Sequence, residues 1–321
     1  MEKANCVLCS RETEARIYIH TNSGGFHFSY LQCRRCGLIF LSPRPNKKEI
    51  LQFYQQDYYG DGLQKFHSWL EAFRLFFAWN RMRRVKKFFS YPGKALDIGC
   101  GQGTFLQMLK KEGWECHGTE LTLKSASRAF RRGISVSVGE IDESRYPPHS
   151  FDLITLWHVL EHLPQPLETI KKVTRLLKKG GILAISTPNI DSLQAKMGGS
   201  RWFHLDPPRH LYLYSPRTLA QMIGSLDFRL LKLYHFSLEQ NPFGWLQSLL
   251  NLSGLPQNSL YMILKNTPSL REACLTVSQT GKTLLLAGGL LPYCLILSLS
   301  MALFHSGGTI EAYFRLYDAK D

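Results

Sequence analysis

The chain has 321 residues and carries 39 Lys and Arg against 25 Asp and Glu, a formal net charge of +14. That length can bury one substantial core with room for a small extra module. The apolar content of 44% is ordinary for a globular chain, and there is no internal repeat or low-complexity tract, which excludes a solenoid or a disordered polymer. The basic excess favours an anionic partner, either nucleic acid or an anionic membrane surface.

From the N-terminus, Met1 to Cys6 lack the apolar core of a signal peptide, so the chain is expected in the cytosol, where thiols stay reduced. Residues 1–45 hold Cys6-x-x-Cys9 and Cys33-x-x-Cys36 and end in Ser42-Pro43-Arg44-Pro45. Two residues between thiolates let one tight turn present both sulfurs to a metal, and two such turns complete a tetrahedral zinc site. With all four positions Cys, no place is left for water, so the zinc is expected to be structural and the segment a zinc ribbon. Cys100, Cys116, Cys274 and Cys294 read as packing residues. Residues 46–92 read as helical, aromatic and basic. On a helix over Ser68–Phe89, Trp69, Phe73, Phe76, Phe77, Val85 and Phe88 are expected to share an apolar side, ringed by Arg and Lys.

Residues 93–240 alternate short apolar runs with amphipathic ones, the βαβ pattern of a parallel sheet. Strands are expected at Ala95–Ile98, Glu115–Thr119, Ser135–Val138, Phe151–Leu156, Ile182–Ser186 and Arg229–His235, with a last one at Ile310–Tyr317. Helices are expected at Thr104–Lys111, Lys124–Arg131, Leu167–Leu177 and Pro216–Ser225, the third closed by Lys178-Lys179-Gly180-Gly181. Residues 241–308 are far more apolar and interrupt this domain, which resumes at 309–321.

The first strand runs straight into a glycine turn, Asp97-Ile98-Gly99-Cys100-Gly101-Gln102-Gly103-Thr104. Glycines permit a sharp turn and close approach of a ligand, and the helix that follows offers its N–H groups. A dinucleotide fingerprint needs glycine at 104, where Thr104 stands. Asp97, two places before the first glycine, suits a ligand with a cationic amino group better than a pyrophosphate. Glu120 ends the second strand, where a carboxylate gripping ribose hydroxyls is expected.

These residues resemble the class I S-adenosylmethionine-dependent methyltransferases. So do Ser150-Phe151-Asp152-Leu153-Ile154 with His158-Val159-Leu160-Glu161-His162-Leu163, and Leu176-Leu177-Lys178-Lys179-Gly180-Gly181-Ile182-Leu183, in the family's order. The resemblance implies an α/β fold: a Rossmann-like seven-stranded sheet, here with an N-terminal zinc ribbon and an apolar helical insert before the last strand. It implies S-adenosylmethionine as cofactor. Asp97 with the Gly99, Gly101 and Gly103 backbone would hold its methionine part and Glu120 its ribose. Gly139-Glu140-Ile141 would lie along the adenine, with Glu140 accepting from the amino group, and Trp157 and His158 would close the pocket.

A hydroxyl or enol acceptor benefits from a general base, and His158, Glu161, His162 and His210 are the candidates, with His210 the expected base or substrate-positioning residue and His162 read as structural. His210 lies in Trp202-Phe203-His204-Leu205-Asp206-Pro207-Pro208-Arg209-His210-Leu211, and related methyltransferases of glycan and lipid pathways carry a similar segment. Leu284–Phe304 runs 21 positions without a charge, long enough to cross a bilayer, yet the resemblance implies that the chain leaves and re-enters the sheet on one side. A hairpin that dips into the membrane or lies in its interface is therefore expected, at the inner face. The expected function is O-methylation of a lipid-linked glycan, a quinone-like ring or another amphiphilic acceptor at the cytosolic membrane face. The alternatives are a soluble nucleotide-sugar methyltransferase, an RNA methyltransferase, or a non-catalytic membrane-tethered module that keeps the cofactor fold.

Overall fold

The computed structural model describes residues 1–9, 14–23, 25–46, 49–50, 53, 69–265 and 275–317. Ser68, most of the segment before it and Cys274 lie outside the described residues. In chain order the strands are β1 (Ala15–Ser23), β2 (Phe26–Cys33), β3 (Ile39–Leu41), β4 (Lys94–Ile98), β5 (Glu115–Glu120) and β6 (Ser135–Val138). They continue as β7 (Phe151–Trp157), β8 (Leu177–Pro188), β9 (Tyr212–Leu213), β10 (Phe228–Tyr234) and β11 (Thr309–Leu316). The α-helices are α1 (Trp69–Lys86), α2 (Thr104–Lys111), α3 (Leu123–Arg131), α4 (Pro166–Leu176), α5 (Leu193–Gly198), α6 (Pro216–Gly224), α7 (Asn241–Leu252), α8 (Ser259–Leu264) and α9 (Val277–Leu303).

Two compact units form. One comprises Met1–Ser68, Pro188–Thr218 and Tyr234–Ile310; the other comprises Trp69–Thr187, Leu219–Leu233 and Glu311–Asp321. The first contains a four-stranded sheet in the order β1-β2-β3-β9. β1 and β2 form an antiparallel hairpin, and β3 continues it with Tyr30 opposite Leu41. Phe28, Tyr30, Leu38, Phe40 and Leu41 are buried in its core. The Tyr30 hydroxyl donates to the carbonyls of Leu205 and His210, at 2.9 and 2.7 Å, which ties the loop 202–211 to the sheet. In the same unit α9 packs along α7 and α8 through Trp245, Leu246, Leu250, Leu260, Ala287 and Cys294. Among the described residues, the apolar insert is thus three helices with an internal core.

The second unit is built on a seven-stranded sheet in the order β10-β11-β8-β7-β4-β5-β6. The pairs β4/β5, β4/β7, β5/β6 and β7/β8 are parallel. β7 and β8 read as near-continuous apolar runs because helices cover both faces of a parallel sheet; Leu153, Ile154, Leu156 and Ile182–Ile185 are all buried. This is the Rossmann-like sheet the pattern predicts. Two local expectations change. Lys178–Gly181 is expected to close a helix that runs to Leu177, but α4 stops at Leu176 and β8 begins at Leu177 opposite Phe151. Pairing with β7 outweighs one further helical turn there, and Gly180 at φ +78° makes the bend. On α1 the predicted apolar side is packed only in part: Val85 is buried and Phe77 and Phe88 are half-buried, while Phe73 and Phe76 are exposed. Ala78 and Met82, outside the predicted set, are buried as well, and α1 packs on α2.

Candidate active site and thiol cluster

The glycine turn of the second unit joins β4 to α2. Gly99, Gly101 and Gly103 all have positive φ, at +70°, +54° and +72°. A side chain at 103 would put its Cβ 2.9 Å from the Ala129 Cβ, so the turn packs against α3 only with glycine there. At Gly101 nothing lies within 4 Å of the equivalent position, which leaves that backbone open to a ligand. The Gly101 N–H donates to Glu120 Oε2 at 3.0 Å, so the carboxylate at the end of β5 braces the turn.

Asp97 is only 3% exposed and accepts from the Thr155 hydroxyl at 2.6 Å. The parallel register sets this contact, because Asp97 faces Thr155 across β4 and β7. Burial pushes the Asp97 carboxyl up to about 7, opposed by the Thr155 hydrogen bond and Arg81 and reinforced by the Glu120 charge. A buried carboxylate held this far up gains most from a cationic partner.

Trp157 ends β7. Its ring meets Phe105 edge-on at 5.4 Å, and the Arg81 guanidinium lies 5.4 Å over it. Its indole N–H is buried and has no partner among the described residues. His158 follows at φ +55°, unusual for a residue other than glycine and common where a functional site fixes the backbone. Its N–H donates to the Ser186 carbonyl at 2.9 Å, its Nε2 lies 3.2 Å from the Ser186 hydroxyl, and its Nδ1 is 3.3 Å from Glu161 Oε1. Glu161 is fully buried. His162 is half-buried in the same short turn, Leu160–His162. Glu140 is exposed beside Gly139, whose N–H donates to the Glu120 carbonyl at 2.8 Å. Glu120 and the glycine turn are thus joined by a hydrogen bond, and Asp97 is tied to β7 through Thr155. Thr155, Ser186 and Arg81 were missed in the sequence; a lone Thr inside the apolar run of β7 is the only mark that pointed to any of them.

His210 belongs to the other unit and is buried there. Its Nδ1 lies 2.7 Å from the His204 carbonyl, which can only accept, so Nδ1 carries a proton. Asp206 Oδ2 is 4.0 Å from Nε2 of the same ring.

The four N-terminal thiols also converge in the first unit, all within 4.8 Å of one another. Cys6 and Cys36 sulfurs are 3.4 Å apart, and those of Cys9 and Cys33 are 3.9 Å apart. A tetrahedron of Zn–S bonds of ~2.3 Å requires sulfurs about 3.8 Å apart, so the cluster fits zinc. Burial raises Cys33, yet the backbone N–H groups of Cys36 and Arg35, with neighbouring thiols, bring it down to about 7. Burial pushes the Cys6 and Cys9 thiols up, so Cys33 is the member of the set held as a thiolate most readily.

A family model described as "Methyltransferase domain" matches residues 67–233. The chain is similar to the ubiquinone biosynthesis O-methyltransferase of Methylococcus capsulatus, 34% identical over 117 residues, which cover 34% of this chain and 49% of that protein. It is 29% identical over 178 residues to the protein of that name from Coxiella burnetii, covering 51% of this chain and 76% of the other. The chain thus spans about half the length of one curated relative and three quarters of another. Among solved structures, the [4+2]-cyclase SpnF superposes with a TM-score of 0.50 at 17% identity, over 85% of this chain and 97% of that one. A SAM-dependent methyltransferase from Archaeoglobus fulgidus gives a TM-score of 0.48 at 20% identity, over 77% and 97% of the two chains.

Proposed function

This chain belongs to the class I S-adenosylmethionine-dependent methyltransferases, and we propose that it methylates a hydroxyl of an amphiphilic acceptor at the cytosolic face of a membrane. The observation that carries the acceptor class is the outward side of α9, where Leu285 is 79% and Ile296 62% exposed. A water-soluble acceptor gives no reason for such a surface. The curated relatives named above are O-methyltransferases of ubiquinone biosynthesis, which favours a ring hydroxyl of quinone type over a lipid-linked glycan.

The residues present fit the cofactor: an open backbone at Gly101, a buried carboxylate at Asp97 and an unpartnered indole N–H at Trp157. Asp97 would receive its amino group, Glu120 its ribose hydroxyls, and Gly139-Glu140-Ile141 would flank its adenine. When bound, it supplies a methyl carbon already activated by the sulfonium. The protein's own task is then to align the acceptor oxygen, exclude water and take up a proton. His158 is the base we favour. Its ring lies between Ser186 and buried Glu161, and that carboxylate would stabilise the imidazolium that proton uptake creates. His162 and His210 remain further candidates from the sequence. The four thiols of Cys6, Cys9, Cys33 and Cys36 would hold a structural zinc with no part in the transfer.

The test is transfer of labelled methyl from the cofactor into extracted membrane lipids, with His158→Asn, His162→Asn and His210→Asn compared. Label in a lipid fraction, and a fall in kcat of roughly 10²–10⁴ for His158→Asn that far exceeds any loss of cofactor affinity, are expected. Label confined to nucleotide sugars or RNA refutes the acceptor class. An unchanged kcat refutes the base.

A further inference from the structure

α9 runs for 27 residues and opens with a capping box between Thr276 and Gln279. From residue 273 to residue 310 the sequence has no Asp or Glu, and Lys282 is the one Lys or Arg. One side of the helix faces protein. Thr283, Ala287, Cys294 and Ser298 are buried, and Leu290, Leu297 and Met301 are packed beside them on α7 and α8. The spacing of three and four residues makes this a continuous stripe. The other side carries Leu284, Leu285, Leu291, Leu295, Ile296, Leu299 and Leu303, from 40% exposed at Leu295 to 80% at Leu303. These, with Tyr293 and Phe304, leave on the order of 1,000 Å² of apolar surface, well above the few hundred Å² usual for a monomer.

Composition decides what covers that side. A protein interface of this size has a polar rim and about one hydrogen bond per 100–200 Å². From Leu284 to Phe304 there is no charge to form such a rim. Three of the helix hydroxyls are satisfied internally: Thr280 donates to the Thr276 carbonyl, Thr283 to Gln279 and Ser298 to Cys294, at 3.0, 2.8 and 2.6 Å. Hydrocarbon requires that arrangement. Over residues 240–310 the charges are Lys265, Arg271 and Lys282 against Glu272, and the whole chain is at +14, so charge complementarity favours an anionic bilayer.

Packing decides the orientation. α7 has 12 residues, about 18 Å of helix against the ~30 Å of a hydrocarbon core. It carries buried Gln247 and Asn251, and Arg201 donates to the Asn251 carbonyl at 2.8 Å. A crossing by α9 would take these groups into the hydrocarbon with it, at high cost. We infer that α9 is an in-plane lipid anchor: its leucine side enters one leaflet of an anionic bilayer, its Ala287–Cys294 side stays on α7, and it does not cross. This rests on the membrane-surface reading above and makes it specific.

Single variants Leu285→Trp, Ile296→Trp and Leu303→Trp of the full chain would be mixed with phosphatidylglycerol–phosphatidylethanolamine vesicles containing lipids brominated at shallow or deep acyl positions. Equal quenching of all three added indoles, stronger from the shallow bromines, is expected. Deep quenching at 296 with shallow quenching at 285 and 303 shows a crossing helix and overturns the inference. Co-sedimentation with the vesicles should fall at least tenfold in the Leu285→Glu, Ile296→Glu, Leu299→Glu triple variant and weaken on phosphatidylcholine. An absence of vesicle binding by the unaltered chain, or a lipid-free dimer that the triple variant dissolves, also overturns it. S-adenosylhomocysteine affinity, measured by calorimetry, shows that each variant is folded. A chain that binds vesicles but labels no lipid fails the acceptor reading alone.

Discussion

Replacing Asp97 by Asn separates what the protein fold prefers from what the cofactor needs. The Asp97 carboxyl titrates near 7 in the folded chain, against 3.8 for the unperturbed group, mainly because it is buried. The unfolded chain thus loses this proton first, and the folded state is the better proton binder between those values. Stability contributed by this site therefore falls as pH rises from 3.8 to about 7 and is level above. A displacement of about 3 in pKa corresponds to at most about 4 kcal/mol. Asn does not ionise and still offers an oxygen to the Thr155 hydroxyl. Asp97→Asn should accordingly stabilise the ligand-free chain by up to about 4 kcal/mol at pH 8 and about 2 kcal/mol at pH 5. It should also weaken S-adenosylmethionine binding by roughly 10- to 100-fold, the worth of one charge-assisted hydrogen bond. Denaturant melts at the two pH values and calorimetric titration read both effects. Equal stability changes at pH 5 and pH 8, or an unaltered affinity, would refute the reasoning.

Three further outcomes concern the glycine turn and the thiols. Gly103→Ala meets the Ala129 Cβ at 2.9 Å and should cost roughly 1–3 kcal/mol of stability in thermal melts. Gly101→Ala, with open space around it, should cost only about 1 kcal/mol of backbone strain but lose cofactor affinity in calorimetry. The purified chain should hold close to one zinc by elemental mass spectrometry, and Cys33→Ser should lose it along with thermal stability. A metal-free wild-type chain with unchanged melting would count against the zinc reading.

Much of the fold was legible because its signals are local. Apolar runs of β length alternated with amphipathic ones, and helix α2 fell at the predicted Thr104–Lys111. The strand–glycine–helix turn carried its ligand class in the spacing of Asp97, the three glycines and Glu120. The apolar side expected on α1 was right at Val85 and wrong at its exposed end, because hydrophobicity alone does not say which side of a helix finds a partner. Ala78 and Met82 are buried, whereas Phe76 stacks on Trp79 at 5.8 Å near the surface. The Leu177–Gly181 segment misled because its pairing partner, Phe151, lies 26 residues earlier and outweighs local helix signals.

The sequence by itself determined the sheet, the glycine turn with its two carboxylates, the paired thiols and the presence of a charge-free stretch. Each of these is written in spacing along a few consecutive residues. Only the tertiary structure decided that Thr155 bonds Asp97, that Ser186 lies against His158, and that one side of α9 is packed while the other is bare. Those depend on strand register and helix packing between segments far apart in the chain, where no local pattern records the partner.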